Sequence, residues 1–320
     1  MNTVDDLPDD LLQTLDLPDL RGKILHVGSS GEASGHAIDA FAKCNAYYAL
    51  HYRLKVDAVD PNQQVQPSSS FDARILGSLG HQGLGLHYRR MMAVQRGTDV
   101  NEWAKPYDGM VRMARQHGAY YVELVPKAML GVLAYLRKHA GEVFEIVGVE
   151  QKVDFAPLVG RPHTRSIDLV TKDYRTGLIS FLDHKFTGRP IEAFIAGLTL
   201  DGQFLDYQVY GNAALEGRWS VANPGGKFGG AWVNVLRWGN EKYPATVGRH
   251  EIAPAPWAVS CRMDDLHEQY DRRDRLESRD PWHWPRVGDG SICAQWSGCE
   301  CAHACRLGPI ASKQHSPFRT

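Results

Sequence analysis

The chain has 320 residues, 43% of them hydrophobic and 23% charged, the composition of a globular protein, which excludes a disordered or fibrous one. The longest apolar run, about residues 128–136, falls far short of the roughly 20 residues of a bilayer span, and the acidic start lacks the basic n-region of a secretory signal, so a cytoplasmic location with no membrane association is expected. The net charge of −1 conceals a segregation: residues 1–20 hold six Asp and no Lys or Arg, leaving 36 basic against 31 acidic residues in the remainder. That body is compatible with an anionic partner without demanding one.

In chain order, residues 1–24 read as an acidic arm in which Asp alternates with Leu around Pro8 and Pro18. Residues 28–35 (GSSGEASG) form a loop without the Gly-Lys-Ser/Thr ending of a phosphate-binding P-loop, which excludes nucleotide binding there. A helix is predicted from residue 36 to about 54, with Ile38, Phe41, Cys44 and Tyr48 on one face. After a Pro/Gln/Ser-rich loop at 61–70, helices are predicted over 83–95, 107–117 and 127–139. The period then becomes strand-like at 143–153, 165–171 and 178–185. The turn Lys-Asp-Tyr-Arg-Thr-Gly at 172–177 makes the last two an antiparallel hairpin. A helix over 200–216, strands over 231–237 and 245–252, a charged helix over 257–277 and a loop over 278–292 complete the pattern before a cysteine-dense tail.

The hairpin carries the chemistry. Asp168 interrupts an apolar strand, where a buried charge needs a partner or a metal. Asp183-His184-Lys185 follows apolar residues 179–182, and strand alternation sends Asp183 and Lys185 to the same face. Two carboxylates and a lysine at one spot suit phosphodiester hydrolysis. The carboxylates hold Mg²⁺ or Mn²⁺ through oxygen, and the lysine offsets developing negative charge. Taken alone, the same residues also fit a half-buried Asp183–Lys185 ion pair.

The surrounding motifs resemble the RecB-like branch of the PD-(D/E)XK nuclease superfamily over about residues 35–306. Gly83-Leu-Gly-Leu-His87 resembles the family's G-x-x-x-H helix. Glu150 with Gly160 to Val170 resembles its E…G-x-h-D strand pair. Asp183-His184-Lys185-Phe-Thr-Gly188 resembles its D-x-K-T-G strand, with Phe186 interposed. Gln203-Phe-Leu-Asp-Tyr207 resembles its Q-x-x-x-Y helix, both named side chains lying on one helical face. Leu205, Val209 and Ala213 form a separate apolar stripe assigned to the core. The resemblance implies that His87, Asp168, Asp183 and the backbone carbonyl of His184 bind the metal, that Lys185 positions water, and that Gln203 and Tyr207 line the site. Glu150 is implied as an assisting carboxylate, with a plain strand-edge charge as the other reading.

Four of six cysteines fall within thirteen residues: Cys293, Cys299, Cys301 and Cys305. In a reducing compartment such a cluster reads as metal ligation rather than disulfides. The set resembles the C-terminal cysteines of RecB-like nucleases that carry a [4Fe-4S] cluster, which take one further ligand from an N-terminal helix, where Cys44 stands here. The resemblance implies Cys44, Cys293, Cys299 and Cys305 as ligands, with Cys301 as alternate to Cys299; a Zn²⁺ ion on the four tail cysteines is the other reading. Cys261, alone in a charged helix, is assigned to packing.

The expected fold is therefore α/β: a restriction-endonuclease-like core over residues 25–320, with a central mixed sheet flanked by helices and an Fe–S staple joining N- and C-terminal segments. The implied function is metal-dependent cleavage of DNA, as an exonuclease on single strands or ends, in recombination, phage DNA metabolism or CRISPR adaptation. Any helicase or adaptation protein would be a separate partner, because the chain has no helicase motif. A catalytically silent DNA-binding adaptor of the same fold and a Zn-stabilised binding module are the competing functions. The intact carboxylates and lysine argue against the adaptor.

Overall fold

The period-2 segments between residues 143 and 252 form one mixed sheet of five strands: β1 (Phe144–Asp154), β2 (Thr164–Asp173), β3 (Ile179–Thr187), β4 (Phe228–Arg237) and β5 (Thr246–Ile252), hydrogen-bonded in that order. The computed structural model describes residues 35–49, 52, 57–58, 69–188, 190–196, 198–213, 227–239, 244–279, 284 and 318–319. The predicted acidic arm, most of the 28–35 and 61–70 loops, the end of the 36–54 helix, residues 214–216 and the four tail cysteines lie outside them.

The β2–β3 hairpin is antiparallel, with Leu169 opposite Leu182 and Lys172 opposite Ile179. Asp173 closes its turn by accepting from the backbone N–H of Arg175 at 2.9 Å and of Thr176 at 2.6 Å. β4 then runs parallel to β3, setting Asp183, His184 and Lys185 beside Val233, Asn234 and Val235, and β5 returns antiparallel. The parallel β3–β4 pairing between two antiparallel ones matches the expected mixed sheet.

The helices are α1 (Gly35–Lys43), α2 (Ser69–Arg96), α3 (Pro106–His117), α4 (Val125–Lys138), α5 (Gly202–Ala213) and α6 (Pro256–Glu277), with shorter turns between them. The chain divides into two units. The first holds residues 71–153 and 166–256. In it α2, α3 and α4 bury Leu79, Leu84, Met110, Val125, Val132 and Tyr135 with Leu169, Leu182 and Leu236 of the sheet. The segment Ala119–Lys138 is long and apolar enough to cross a membrane by composition alone, but Val125, Ala128, Met129, Val132 and Tyr135 within it belong to this core. On the other sheet face, Phe181 meets Tyr207 of α5 edge-on at 5.9 Å.

β1 is an edge strand, and its free backbone groups are met by side chains of α2. Gln95 accepts from the N–H of Ile146 at 2.9 Å and donates to the carbonyl of Phe144 at 2.8 Å. Arg96 donates to Val147 at 3.0 Å, and Arg89 donates to Val149. Covering an edge in this way prevents pairing with another chain.

The second unit holds residues 29–70, 154–165 and 257–320. Asp39 of α1 is clamped by Arg165 at 2.7 Å and Arg262 at 3.2 Å. The Tyr270 hydroxyl of α6 donates to the carbonyl of Pro162 at 2.9 Å and lies 2.8 Å from His163 Nδ1. Phe41 and Tyr48 pack on Trp284, the first edge-on at 6.2 Å and the second stacked at 5.9 Å. Cys44 is buried between them in sequence, whereas Cys261 is exposed on α6 and so is not the packing residue expected. On a helix with so few apolar residues, the single cysteine simply falls on the solvent side.

Candidate active site

Extending the hairpin register by one residue sets Asp168 opposite Asp183, so β2 and β3 deliver both carboxylates to one place. There the Asp168 carboxylate turns to the neighbouring strand and its Oδ2 accepts from the backbone N–H of His184 at 2.7 Å. The same oxygen lies 3.3 Å from His81 Nδ1. His81 comes from α2. Its approach depends on the residue before it: a Cβ on Gly80 would sit 2.3 Å from the Phe186 ring. That ring, the residue interposed in the D-x-K-T-G pattern, meets His81 edge-on at 5.2 Å and stacks on Trp238 at 5.0 Å.

Glu150 completes the group. One ligand atom from each of His81, Glu150 and Asp168 lies within 4.8 Å of the others, close enough for one cation to hold all three. Glu150 has φ of 48°, the left-handed region that a non-glycine residue occupies at a cost on the order of 1–3 kcal/mol. Such strain inside a strand, directly after the Val149 carbonyl bound by Arg89, marks a residue held in place for something other than sheet pairing.

Asp183 stands beside this group with its own partners. Its Oδ1 accepts from Gln203 Nε2 at 2.7 Å, and its Oδ2 pairs with Lys185 Nζ at 2.7 Å. Lys185 Nζ also donates to Gln203 Oε1 at 2.8 Å. The Tyr207 hydroxyl donates to the carbonyl of Ser166 at 2.7 Å and receives from Gln203 Nε2 at 2.6 Å. Gln203 and Tyr207, four residues apart on α5, therefore lock Asp183 and Lys185 together. The expected apolar stripe of α5 is only partly its core face: Leu205 is buried, but Val209 and Ala213 are half-buried while Gln203, Phe204, Asp206 and Tyr207 are buried.

The electrostatics follow from burying like charges together. Burial, then the charge of Asp168, pushes the Glu150 carboxyl up to about 8. Burial raises Asp183 to about 6 against the pull of Lys185. Burial also works to raise Asp168, but the charge and hydrogen bond of His81, helped by His184 and Lys185, hold it below the usual carboxylate range. Lys185 is the converse: burial lowers it, yet the charges of Asp183 and Asp168 keep it above its ordinary value, so it is a cation at neutral pH. Desolvation takes His184 down to about 3, leaving it neutral. Three crowded carboxyl groups with one held protonated are the pattern a divalent cation relieves. Asp183 Oδ2 is buried and meets Lys185 Nζ at 2.7 Å, which leaves its second lone pair to offer. The donor set of carboxylates and an imidazole fits a divalent cation.

The structure brings Asp168, Asp183, Lys185, Gln203 and Tyr207 together. It sets Glu150 within the group itself and uses His184 through its N–H. It does not bring His87 there. His87 lies six residues beyond His81 on α2, about 9 Å along the axis and on a different face. There burial and then Arg90 lower its pKa, and its ring meets Tyr88 edge-on at 5.3 Å. His81 was missed because the helix was predicted to begin at 83, although Gly77-Ser-Leu-Gly-His81 carries the same G-x-x-x-H spacing one motif earlier. Cys44 is within the described residues, while Cys293, Cys299, Cys301 and Cys305 are not.

A search of curated proteins returns no match to this chain. A family model, that of the PD-(D/E)XK nuclease superfamily, matches residues 32–306. With that span covering most of the 320 residues, and with the carboxylates and lysine converging where β2 pairs with the central strand β3 of a mixed sheet, the chain belongs to the PD-(D/E)XK nuclease superfamily.

Proposed function

We propose that this protein is an Mg²⁺- or Mn²⁺-dependent deoxyribonuclease acting as an exonuclease on single strands or DNA ends. The observation that carries the reading is the convergence of His81, Glu150 and Asp168 beside the Asp183–Lys185 pair. His81, Glu150 and Asp168 would hold the ion, with Asp183 Oδ2 and the His184 carbonyl as the further oxygen donors. A divalent ion bound there would supply polarisation of the scissile phosphate and a lowered pKa for a bound water. Lys185, charged at neutral pH, donates to an anionic oxygen of the substrate or orients the attacking water. Gln203 and Tyr207 hold Asp183 and Lys185 in register, so that neither reorganises when the substrate enters. The test is incubation of the full chain with 5′- and 3′-labelled single- and double-stranded DNA, with and without Mn²⁺. Metal-dependent shortening from an end supports the reading, and the labelled end that disappears first gives the polarity.

The [4Fe-4S] cluster on Cys44, Cys293, Cys299 and Cys305, with Cys301 as alternate, belongs to the same proposal. It is supported by the burial of Cys44 and by the packing of Phe41 and Tyr48, three before and four after it, against Trp284, nine residues ahead of Cys293. Its role would be that of a staple closing the two ends of the chain. Anaerobically purified protein is expected to contain about four iron and four sulfide per chain. Zinc without iron or sulfide would replace the cluster with a Zn²⁺ site.

A further inference from the structure

The residue between the two catalytic positions of β3 is free to vary for chemistry, because its side chain points away from Asp183 and Lys185. Here it is His184, 2% exposed, and it enters a hydrogen-bonded network among α2, α4, β4 and β5. The Tyr88 ring lies parallel to the imidazole at 5.9 Å, and Tyr135 meets it edge-on at 5.5 Å. His184 Nδ1 is 3.2 Å from Asn234 Nδ2, which can only donate, so Nδ1 accepts. Asn234 in turn donates to the Tyr135 hydroxyl at 3.2 Å and accepts from Arg249 Nε at 2.6 Å. Arg249 donates to the Tyr135 hydroxyl at 2.9 Å and to Glu142 at 2.6 Å, and the Tyr88 and Tyr135 hydroxyls are 2.7 Å apart.

A half-buried ion pair and four more polar groups are a weak source of stability, since well-packed apolar residues of the same volume do as well or better. What such a network supplies is a single geometry. The geometry it specifies is that of His184, whose own backbone N–H donates to Asp168 Oδ2 at 2.7 Å on the working side of the strand. Holding the imidazole therefore holds the peptide that orients the Asp168 carboxylate. We propose that Asn234, Tyr135, Tyr88 and Arg249 are positioning residues that act through the His184 side chain to aim its backbone N–H at Asp168. The inference rests on the reading of Asp168 as a metal ligand and adds the part of the fold that orients it.

The test compares Asn234→Ala and His184→Phe with wild type and with Val132→Ala, a core truncation outside the network. Two readouts are taken on the full chain: hydrogen exchange of the His184 amide without metal, and Mn²⁺ affinity by calorimetry. Faster exchange confined to residue 184 and its neighbours, with Mn²⁺ affinity lowered about 10- to 100-fold, is expected for both network variants. Val132→Ala should leave both close to wild type. His184→Phe keeps a ring against Tyr88 and deletes both ring nitrogens, of which Nδ1 is the one bonded to the network, so it carries the test alone if Asn234→Ala fails to fold. Network variants with wild-type amide protection and Mn²⁺ affinity within twofold overturn the positioning role. Wild-type protein without a Mn²⁺ site that Asp168→Ala removes overturns the metal-ligand reading itself, a result distinct from variants that bind normally.

Discussion

Lys185→Ala is expected to lower the rate of metal-dependent DNA cleavage by about 10²- to 10³-fold while leaving folding and DNA binding nearly intact. The expectation follows from what Lys185 touches. Its Nζ bridges Asp183 Oδ2 and Gln203 Oε1, and the charges of Asp183 and Asp168 outweigh burial and keep it protonated. It is therefore a donor rather than a base, and removal of one preorganised donor costs a factor of that size. The surrounding structure tolerates the loss, because Asp183 keeps its bond from Gln203 and Gln203 keeps Tyr207. Asp183 can also take up a proton, as burial already raises it to about 6. Initial rates on end-labelled DNA, beside circular dichroism and a gel-shift titration, check the three parts separately. Cleavage unchanged in Lys185→Ala would reduce the Asp183–Lys185 contact to a structural ion pair.

His81→Ala and His87→Ala are expected to separate cleanly, although the two histidines lie on one helix and in the same spacing pattern. His81 Nδ1 is 3.3 Å from Asp168 Oδ2, and one ring nitrogen of His81 lies within 4.8 Å of ligand atoms of both Glu150 and Asp168. Its removal should weaken Mn²⁺ binding by at least about 10²-fold, the scale of losing one of a few protein ligands together with its electrostatic partner. His87 touches Tyr88 and feels Arg90, and its replacement should leave Mn²⁺ affinity within about twofold. Calorimetric titration of Mn²⁺ into each variant decides between them. Loss in His87→Ala with retention in His81→Ala would reverse the ligand assignment.

That pair of residues also marks how far the sequence alone leads. Runs rich in Val, Ile and Phe, with clear alternation at 165–171, located the strands of the sheet to within a few residues, because a packed, pleated surface favours those side chains. The hairpin turn at 172–177 set the register, and the register brought Asp168 to Asp183. α2 was legible only in its second half. Its 28 residues contain Gly77, Gly80, Gly83 and Gly85, which lower helix propensity, and its polar and apolar residues are spread around the axis rather than on one face. One of those glycines has a clear packing reason: residue 80 must be glycine for Phe186 to reach the helix. A contact between residues a hundred positions apart leaves no periodic trace. The same holds for Glu150, whose left-handed backbone is invisible in the sequence, and for the network behind His184, which joins residues 88 to 249. For α5, apolar spacing pointed to Leu205, Val209 and Ala213, whereas the face buried against the sheet carries Gln203 and Tyr207. A polar face is buried when it is satisfied, and Asp183, Lys185 and the Ser166 carbonyl satisfy it.

The most direct measurement is cleavage of end-labelled single- and double-stranded DNA by the full chain across a Mn²⁺ titration, with Asp168→Ala in parallel. The account predicts degradation by the unmodified protein that appears only with Mn²⁺ or Mg²⁺ and stops with chelator, and none by Asp168→Ala. Degradation that proceeds without a divalent ion, or that survives in Asp168→Ala, would contradict it.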